Sequence, residues 1–426
     1  MWVSGIIMKI NLISFSDKRG GAGIAANNQY QLVSKFHCVK YIVAEKKSHD
    51  PDILGPSKFS YGTHFALRVV SLCLSKLQRS RNHVKRSLNL FGSMHVYNSI
   101  SYDADIIHLH WFNNETLSLR QLKDLLHKYK GRIVITLHDE WFFCGSEHHS
   151  LDSMRYIDGY LSSNKKIEGL DIERWVFNRK LGLKSDLRNK NIIFTAPSMW
   201  LVNKARSSML LKGLSVKYLP NFINVDIFAP KPIEQSRSSL LLPKDQMVIC
   251  FGALGGTLNY LKGYDLLAEA LKRLKVLNPD LNVHLLIFGG ERKFEKKFLG
   301  FDVTYTGHVS DPNQLARVYS ASDVVIVPSR IESFGQVAAE SLACETPVIC
   351  FNNSAVAEIV DDGLSGFIAE AFSPDDLASK IDKILTLPSE QRHTLGKYGR
   401  NKILKNYSSE VVVPILNDIY QTNMID

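Results

Sequence analysis

The 426-residue chain has no long apolar run and no paired cysteine motif. A membrane-crossing helix needs about 20 consecutive apolar residues, and because no such run occurs, we expect no transmembrane segment. The six cysteines show no CxxC pattern, which favours a reduced, cytoplasmic protein over a secreted or zinc-bound one. The apolar opening has Met1 and Met8 as alternative starts; it lacks a basic leader, so it is typical of a first strand rather than a signal peptide.

Acidic residues are absent from residues 53–102. This window interleaves apolar residues with seven basic ones, namely Lys58, Arg68, Lys76, Arg79, Arg81, Lys85 and Arg86. Such a pattern is typical of a segment that binds an anionic membrane surface or an acidic ligand, and a solvated helix face is the alternative. No nucleic-acid-binding motif accompanies the charge, so we expect no nucleic-acid partner.

Short apolar strands alternate with helical segments in two series, one on each side of Pro220. This alternation predicts an α/β protein with two Rossmann-like, largely parallel sheets, and the chain length favours two domains of roughly 200 residues. We expect an N-terminal domain at 1–222, a proline-containing linker at 223–244, a C-terminal domain at 245–405, and a last helix at 406–426 that packs on the N-terminal domain. Ligands of such sheets bind beyond the carboxyl ends of the strands.

Two carboxylates, Glu332 and Glu340, flank a glycine-led helix start that follows the predicted strand DVVIVPS. At about 1.5 Å per residue they would lie about 12 Å apart, which is about the length of a sugar joined through a diphosphate to a ribose. The N–H groups of Phe334, Gly335 and Gln336 would form an anion site, and each carboxylate could accept hydroxyl hydrogen bonds. Two glutamates at this spacing also arise by chance.

Other candidates also follow predicted strands. Lys262, beside Gly263, could neutralise a phosphate or be an ordinary loop lysine. Gly20 and Gly21 could admit a ligand close to the backbone or form a tight turn.

Several histidines also stand at or near strand ends. His138 and Asp139 end the strand VITLHD, where a buried, hydrogen-bonded histidine is the alternative to a functional one. A metal site from His108, His110, His148 and His149 is conceivable, but no carboxylate has a convincing spacing.

These motifs occur in the order found in retaining GT-B glycosyltransferases of family 4, which the chain resembles over nearly its whole length. They are Gly20-Gly21, TLHD, APS, LPN, Lys262-Gly263, TGHVS, SASDVVIVPS and Glu332-x7-Glu340. The segments ITLHDEWFFCGSEHHS and APSMWL resemble the colanic-acid and exopolysaccharide branch. The resemblance implies a GT-B fold, with two Rossmann-like domains whose parallel sheets face an interdomain cleft. It also implies transfer of a sugar from a nucleoside-diphosphate donor to a lipid-linked saccharide in bacterial surface polysaccharide synthesis, such as O-antigen or exopolysaccharide.

The resemblance also assigns roles to residues. It implies that His138 lies near the anomeric carbon, Lys262 on the diphosphate and Glu332 on the donor sugar, as the catalytic residues. The implied donor-binding set is Gly20, Gly21, Gly256, Lys262, Val309, Arg330, Glu332, Ser333, Phe334, Gly335, Gln336 and Glu340, and the implied acceptor-binding residues are Asp139 and Trp111. No metal and no other cofactor is expected, and the protein would work in the cytoplasm at the inner membrane.

One position departs from the family pattern. Many members carry an arginine six residues before the lysine, where this chain has Gly256. Either Lys262 and the helix amides suffice, or Arg330 or another residue substitutes, or activity is impaired. An inactive sugar-nucleotide-binding partner of another transferase therefore remains an alternative, as does a sugar-nucleotide epimerase; a phosphorylase is disfavoured because no lysine-anchored cofactor motif occurs.

Overall fold

The computed structural model describes residues 7–79, 84–165, 168–188, 191–252, 259–290 and 295–421. The chain divides into two compact units. The first unit is Met1–Asn221 with Val412–Asp426, and the second is Phe222–Val411. Within the described ranges, no helix is both long enough and apolar enough to cross a membrane.

The first unit is built on a seven-stranded sheet in which every neighbouring pair is parallel. Its central strands are buried at every position, as in parallel sheets that are covered on both faces. In sheet order the strands are β3 (Ile53–Leu54), β2 (Cys38–Glu45), β1 (Lys9–Ser16), β5 (Ile106–Leu109), β6 (Arg132–Thr136), β8 (Ile192–Ala196) and β9 (Val216–Tyr218). A separate antiparallel pair joins β4 (Gln78–Arg79) to β7 (Glu168–Gly169).

The helices of the first unit begin at recognisable caps. Ser118 and Gln121 form a reciprocal capping box at the start of α4, and Ser57 caps α2. The helices are α1 (Gly20–Val33), α2 (Lys58–Ser75), α3 (Met94–Ser99), α4 (Leu119–Lys128), α5 (Arg155–Asp158), α6 (Ile172–Leu181) and α7 (Met199–Ser207).

The second unit repeats this architecture. Its seven-stranded sheet runs β12 (Lys297–Phe298), β13 (Phe301–Gly307), β11 (Val283–Phe288), β10 (Met247–Gly252), β14 (Val324–Val327), β15 (Val348–Phe351) and β16 (Gly366–Ala369), and only the β12–β13 pair is antiparallel. Its helices are α8 (Ile233–Ser239), α9 (Tyr264–Leu277), α10 (Pro312–Ser320), α11 (Gln336–Ala343), α12 (Val356–Ile359), α13 (Pro374–Thr386) and α14 (Ser389–Tyr407). The two Rossmann-like sheets predicted from the alternating pattern are therefore present.

Two boundaries lie elsewhere than the sequence pattern placed them. The segment 223–244, expected as a linker, belongs to the second unit because Ile223, Phe228 and Leu242 lie in its core. The end of the chain forms α15 (Ser409–Gln421), and its residues from Val412 onward belong to the first unit. There Arg132 Nη1 donates to the Ile419 carbonyl at 2.8 Å.

Candidate active site

The loop after β10 carries Lys262 to the carboxyl end of β14. Lys262 closes a 3-10 turn, and Gly263 follows in the left-handed region with φ +66°. A Cβ at Gly263 would lie 1.9 Å from the Pro328 carbonyl oxygen, so only glycine permits this approach. The Lys262 ammonium then lies 2.5 Å from Glu332 Oε1, which also accepts a 2.8 Å hydrogen bond from the Ser329 hydroxyl. The structure thus joins the lysine and the carboxylate that the sequence presented 70 residues apart.

Arg330, considered above as a substitute for the arginine missing at Gly256, is held by other groups. Its guanidinium donates to both oxygens of Asp265 at 2.7 and 2.6 Å and to the Tyr260 carbonyl at 2.8 Å. These hydrogen bonds lower the pKa of Asp265. The guanidinium also stacks 3.9 Å from the centre of the Tyr260 ring. Arg330 therefore supports the loop that carries Lys262, and Gly256 itself lies outside the described residues.

Glu340 is buried in α11 and held by two partners. Gln336 Nε2 donates to Oε1 at 2.7 Å, and the Tyr319 hydroxyl donates to Oε2 at 2.9 Å. Burial raises the pKa of Glu340 to about 7, against the opposing effect of these two hydrogen bonds. The helix begins only at Gln336, so the 12 Å estimate, which assumed helical rise from Glu332 onward, is corrected: Glu332 lies in the preceding loop.

The start of α11 supplies the expected backbone donors. Gly335 has φ +103°, a conformation that favours glycine, and a Cβ there would press on Val356 at 3.1 Å. No described residue accepts from the N–H groups of Gly335 or Gln336. Ser333 is buried, and the Phe334 ring packs in the core against Tyr407 at 5.5 Å between ring centres. The Phe334 side chain therefore has a packing role, and the assignment of its backbone N–H to the donor site stays a prediction.

Val309 is half-buried and packs against the same core. Like Phe334, it contributes apolar contact within the second unit. Its assignment to the donor site stays a prediction.

Asp139, at the end of β6, gathers three donors. His148 Nδ1 and Trp111 Nε1 both lie 2.6 Å from Oδ2, and the Trp141 N–H donates to Oδ1 at 2.9 Å. Burial alone would raise the pKa of Asp139, but the charge and hydrogen bond of His148 hold it below its ordinary value. The two residues assigned to the acceptor by resemblance, Asp139 and Trp111, are thus in direct contact.

A chain of hydrogen bonds continues from Asp139 through His148 to Ser87, whose hydroxyl lies 2.8 Å from His148 Nε2. The order of groups is that of a nucleophile relay. However, the Ser87 N–H already donates to the Ser146 carbonyl at 2.8 Å and Ser87 is buried, so no oxyanion donor is free at this residue. The hydrogen bonds from Asp139 through His148 to Ser87 therefore hold the loop around Asp139 in place.

His138 lies in a buried group of histidines. Its Nε2 is 2.9 Å from His110 Nδ1, and the His110 ring stacks on His108 with ring centres 4.3 Å apart. Desolvation lowers the pKa of His138 to about 4, although Asp139 opposes this, and it holds the pKa of His110 well below its usual range. These imidazoles are therefore neutral near pH 7.

The histidine metal hypothesis finds little support in this arrangement. Both ring nitrogens of His108 already have protein partners, Thr136 Oγ1 at 2.7 Å and the Tyr420 hydroxyl at 2.8 Å. Within the described ranges, no group of three or more His, Cys, Asp or Glu side chains is arranged to hold a metal ion.

Gly20 and Gly21 open α1. Gly20 has φ +74°, which accounts for glycine at that position. A Cβ at Gly21 would meet no atom within 4 Å, and its φ is not positive, so neither strain nor packing explains this glycine. The space beside Gly21 is open.

Three supporting residues were not found from the sequence: Tyr319, Asp265 and Ser87. Each meets its partner across at least 21 residues of chain. No local motif marks them, because ordinary tyrosine, aspartate and serine residues acquire these roles only through tertiary contacts.

Residues 232–402, which include Lys262, Glu332 and Glu340, match the family model described as glycosyl transferases group 1. The match covers most of the second unit and does not extend to the first.

Curated relatives align with part of the chain. The lipopolysaccharide 1,2-N-acetylglucosaminetransferase of Salmonella typhimurium is 28% identical over 243 residues, covering 53% of this chain and 61% of that protein. A D-inositol 3-phosphate glycosyltransferase of Corynebacterium jeikeium is 31% identical over 221 residues, covering 49% and 52%. The alignments thus span between about half and three fifths of these relatives.

Solved structures align over nearly the whole chain. Sucrose-phosphate synthase from Thermosynechococcus elongatus superposes with a TM-score of 0.67 at 21% identity, covering 97% of this chain and 98% of that one. Anabaena Alr3699/HepE in complex with UDP and glucose gives 0.64 at 15% identity, covering 97% and 100%. The chain has the GT-B fold. The two Rossmann-like domains expected from the resemblance are thereby confirmed.

Proposed function

We propose that the protein is a retaining glycosyltransferase that moves a sugar from a nucleoside-diphosphate donor to a saccharide hydroxyl. One observation carries this proposal: the Lys262 ammonium meets Glu332 at 2.5 Å. Both residues lie within the range that matches the family model of group 1 glycosyl transferases. Glu332 lies in the loop that leads into α11, and Glu340 is buried in that helix. A cation, backbone donors and two carboxylates therefore surround one loop and one helix. One carboxylate, Glu332, is partly exposed, and the other, Glu340, is buried.

The donor would use these groups in sequence. We assign its diphosphate to the Lys262 ammonium and to the N–H groups of Gly335 and Gln336. The ammonium is positively charged, and the two N–H groups lie at the positive end of a helix dipole. Glu340 would accept from the ribose hydroxyls, and Glu332 from the sugar. Ser333, Phe334 and Gly256 would contribute backbone contacts, and Val309 apolar contact. We propose that the ammonium and helix amides stabilise the leaving charge without a metal.

The first unit would supply the acceptor contacts. Asp139, oriented by Trp111 and His148, is a charged acceptor of hydroxyl hydrogen bonds. The open space beside Gly21 would admit substrate close to the backbone. Retention without a carboxylate nucleophile suggests attack on the same face of the sugar: the acceptor oxygen bonds to the anomeric carbon, the bond to the diphosphate oxygen breaks, and the departing phosphate takes the acceptor proton.

We further propose that the acceptor is a lipid-linked oligosaccharide of a bacterial surface polysaccharide, glycosylated at the cytoplasmic side of the inner membrane. The lipopolysaccharide transferase among the relatives supports this class of acceptor. The exposed apolar side chains of α2, described below, support contact with lipid.

Calorimetry with a panel of nucleoside-diphosphate sugars, followed by transfer assays on lipid-linked glycans from a deletion strain, tests the proposal. We expect binding of one donor and transfer of its sugar, and we expect excess chelator to leave transfer intact. Binding without turnover on any glycan of the panel would favour the inactive partner. A donor converted to another sugar nucleotide without acceptor would favour the epimerase, and full inhibition by chelator would revive the metal hypothesis.

A further inference from the structure

Helix α2 exposes apolar side chains and buries polar ones. Phe59, Phe65 and Leu72 are 82%, 51% and 56% exposed, whereas His64 and Ser71 are buried. The polar groups on the buried side form hydrogen bonds with Glu115. His64 Nε2 lies 2.9 Å from the Glu115 carbonyl oxygen, and the Ser71 hydroxyl donates to the Glu115 carboxylate at 2.7 Å. An ordinary surface helix has the opposite arrangement, so the outer side of α2 is suited to an apolar partner.

A cavity of about 490 Å³ lies between α2 and the segment 84–87. Phe65, Val69 and Leu72 contribute apolar lining, and Ser87 also lines the cavity. Its volume is within the range of small-molecule sites, about 300–1,000 Å³. The cavity is thus large enough for a head group and the first carbons of a chain.

Cationic side chains outnumber acidic ones in this cavity. Arg68, Lys76, Lys85 and Arg86 line it, against the single carboxylate of Glu115. Arg68 pairs with Glu45 at 3.3 Å, and Arg86 with Glu173 at 3.4 Å. Within the described part of the chain, Lys76 and Lys85 form no ion pair, so their charges are available to a ligand.

The Lys85 side chain is exposed and lines the cavity, so its ammonium is accessible to an anion there.

The cavity adjoins the acceptor residues of the first unit. The Lys85 ammonium lies 4.1 Å from the centre of the Trp111 ring, and Trp111 donates to Asp139. Ser87, on the cavity wall, is joined to Asp139 through His148. A ligand in the cavity therefore lies next to the groups that would hold a sugar.

We propose that this cavity binds the phosphate-bearing head of a lipid-linked acceptor, with Lys76 and Lys85 on the phosphate and the start of the lipid chain along the exposed side of α2. The inference rests on the proposed function. Positive charge, an apolar wall and contiguity with Asp139 together favour an amphipathic anion over a purely polar or purely apolar ligand.

Calorimetry on the full chain with farnesyl diphosphate, farnesol and inorganic diphosphate tests this site. We expect farnesyl diphosphate to bind at least tenfold more tightly than either of the others, since only it engages both the cations and the apolar wall. Equal affinity for farnesol would remove the phosphate role, and equal affinity for inorganic diphosphate would remove the lipid role. Binding to phosphatidylglycerol vesicles without binding to farnesyl diphosphate would replace the site by a membrane surface.

Variants locate the site. Lys76→Gln and Lys85→Gln should each weaken farnesyl diphosphate binding about fivefold, the scale for one cation near an anionic lipid. Lys58→Gln removes the same charge from the same helix outside the cavity, so its affinity should match the wild type. Leu72→Gln should weaken binding, whereas Phe59→Gln, also outside the cavity, should not. Unchanged affinity in Lys76→Gln and Leu72→Gln, both exposed positions that leave folding intact, would overturn the proposal.

Donor affinity separates this inference from the proposed function. Nucleotide-sugar binding depends on residues of the second unit, so the cavity variants should retain it. If no nucleotide sugar binds the wild type, the proposed function fails whatever farnesyl diphosphate does. If a donor binds and farnesyl diphosphate does not, only the lipid-phosphate site fails.

Discussion

At the scale of single residues, we expect Glu340 to make donor binding dependent on pH. Its raised pKa of about 7 means that the carboxyl is charged at pH 8 and largely protonated at pH 6. We expect Glu340→Gln to weaken nucleotide-sugar binding at pH 8 by about 1–3 kcal/mol, through loss of charge-assisted hydrogen bonds. Calorimetry at the two values should show that the difference between variant and wild type narrows at pH 6.

Stability provides an independent check on the same group. The pKa of Glu340 in the folded protein lies above the usual value of 4.5. The protonated carboxyl therefore contributes its full share to the free energy of unfolding below pH 4.5, and this share is lost as pH rises through about 7. Urea unfolding should therefore show the wild type losing stability relative to Glu340→Gln across this window. Parallel curves, with a constant affinity difference, would mean that Glu340 is charged throughout.

Lys262 should control turnover. Lys262→Ala should slow transfer at least about 10²-fold, the scale for losing one preorganised charge stabiliser. Lys272→Ala is a matched control, since its ammonium pairs with Glu269 at 3.4 Å on the exposed side of α9. Steady-state kinetics decide the matter: a folded Lys262→Ala protein with wild-type turnover would remove the lysine from the leaving-group role.

His138 should act as a neutral group. With its pKa lowered to about 4, it is uncharged from about pH 5.5 upward. His138→Gln should therefore lower kcat/KM, on the scale of about 10²-fold, without changing the shape of the pH profile between 5.5 and 8.5. A limb near pH 6.5 that disappears in the variant would instead identify His138 as an imidazolium that titrates during the reaction.

At the scale of elements, α2 should bring the protein to anionic membranes. Phe59 and Phe65 are exposed, and Lys58 and Lys76 flank them with about 1 kcal/mol each to gain near an anionic surface. Replacing both phenylalanines with aspartate should release the protein from phosphatidylglycerol vesicles at low salt, as measured by co-sedimentation. A wild type that stays in the supernatant would leave the solvated-face interpretation.

A charge-reversal version of this test needs basic residues that no carboxylate holds. Arg86 donates to Glu173, so its reversal to glutamate would place two carboxylates together and destabilise the unit. Arg81 lies outside the described residues. Lys58→Glu with Lys76→Glu is the better charge-reversal pair, because both are exposed and lie within or directly after α2.

At the scale of the whole molecule, the end of the chain contributes to the first unit's core. The buried Tyr420 hydroxyl meets His108 Nδ1 at 2.8 Å and accepts from Gln29 at 3.4 Å. Tyr420→Phe should lower the free energy of unfolding of that unit by about 1–3 kcal/mol, because the partners lose a buried hydrogen bond. Urea unfolding checks this, with Tyr398→Phe, 42% exposed, as control. Equal stabilities of the two variants would mean that the C-terminal segment does not stabilise the first unit through this contact.

The elements of both units were predictable because their signals are local. The sequence pattern predicts a helix at about residues 264–277, the bounds that α9 has. The strands β10, β11, β13, β14, β15 and β16 stand out as apolar runs separated by turns. The short strands β3, β4, β7 and β12 were missed, since two residues carry no periodic pattern. The glycine-led helix start was predictable from Gly335, but the helical rise used to separate Glu332 from Glu340 does not apply to the loop before Gln336.

The sequence by itself determined the alternation of strands and helices, and with it the glycines, the lysine and the carboxylates at strand ends, because these depend on neighbours a few residues away. Only the tertiary structure decided which of those groups meet. Lys262 pairs with Glu332 across 70 residues. The Arg330 guanidinium donates to the Asp265 carboxylate, and the buried Glu340 accepts a hydrogen bond from Tyr319. The tertiary structure also decided which side of α2 is exposed. The helix is amphipathic in sequence, but His64 and Ser71 on its polar side are buried. They can be buried because the carbonyl and the carboxylate of Glu115, 44 residues beyond Ser71, form hydrogen bonds with them.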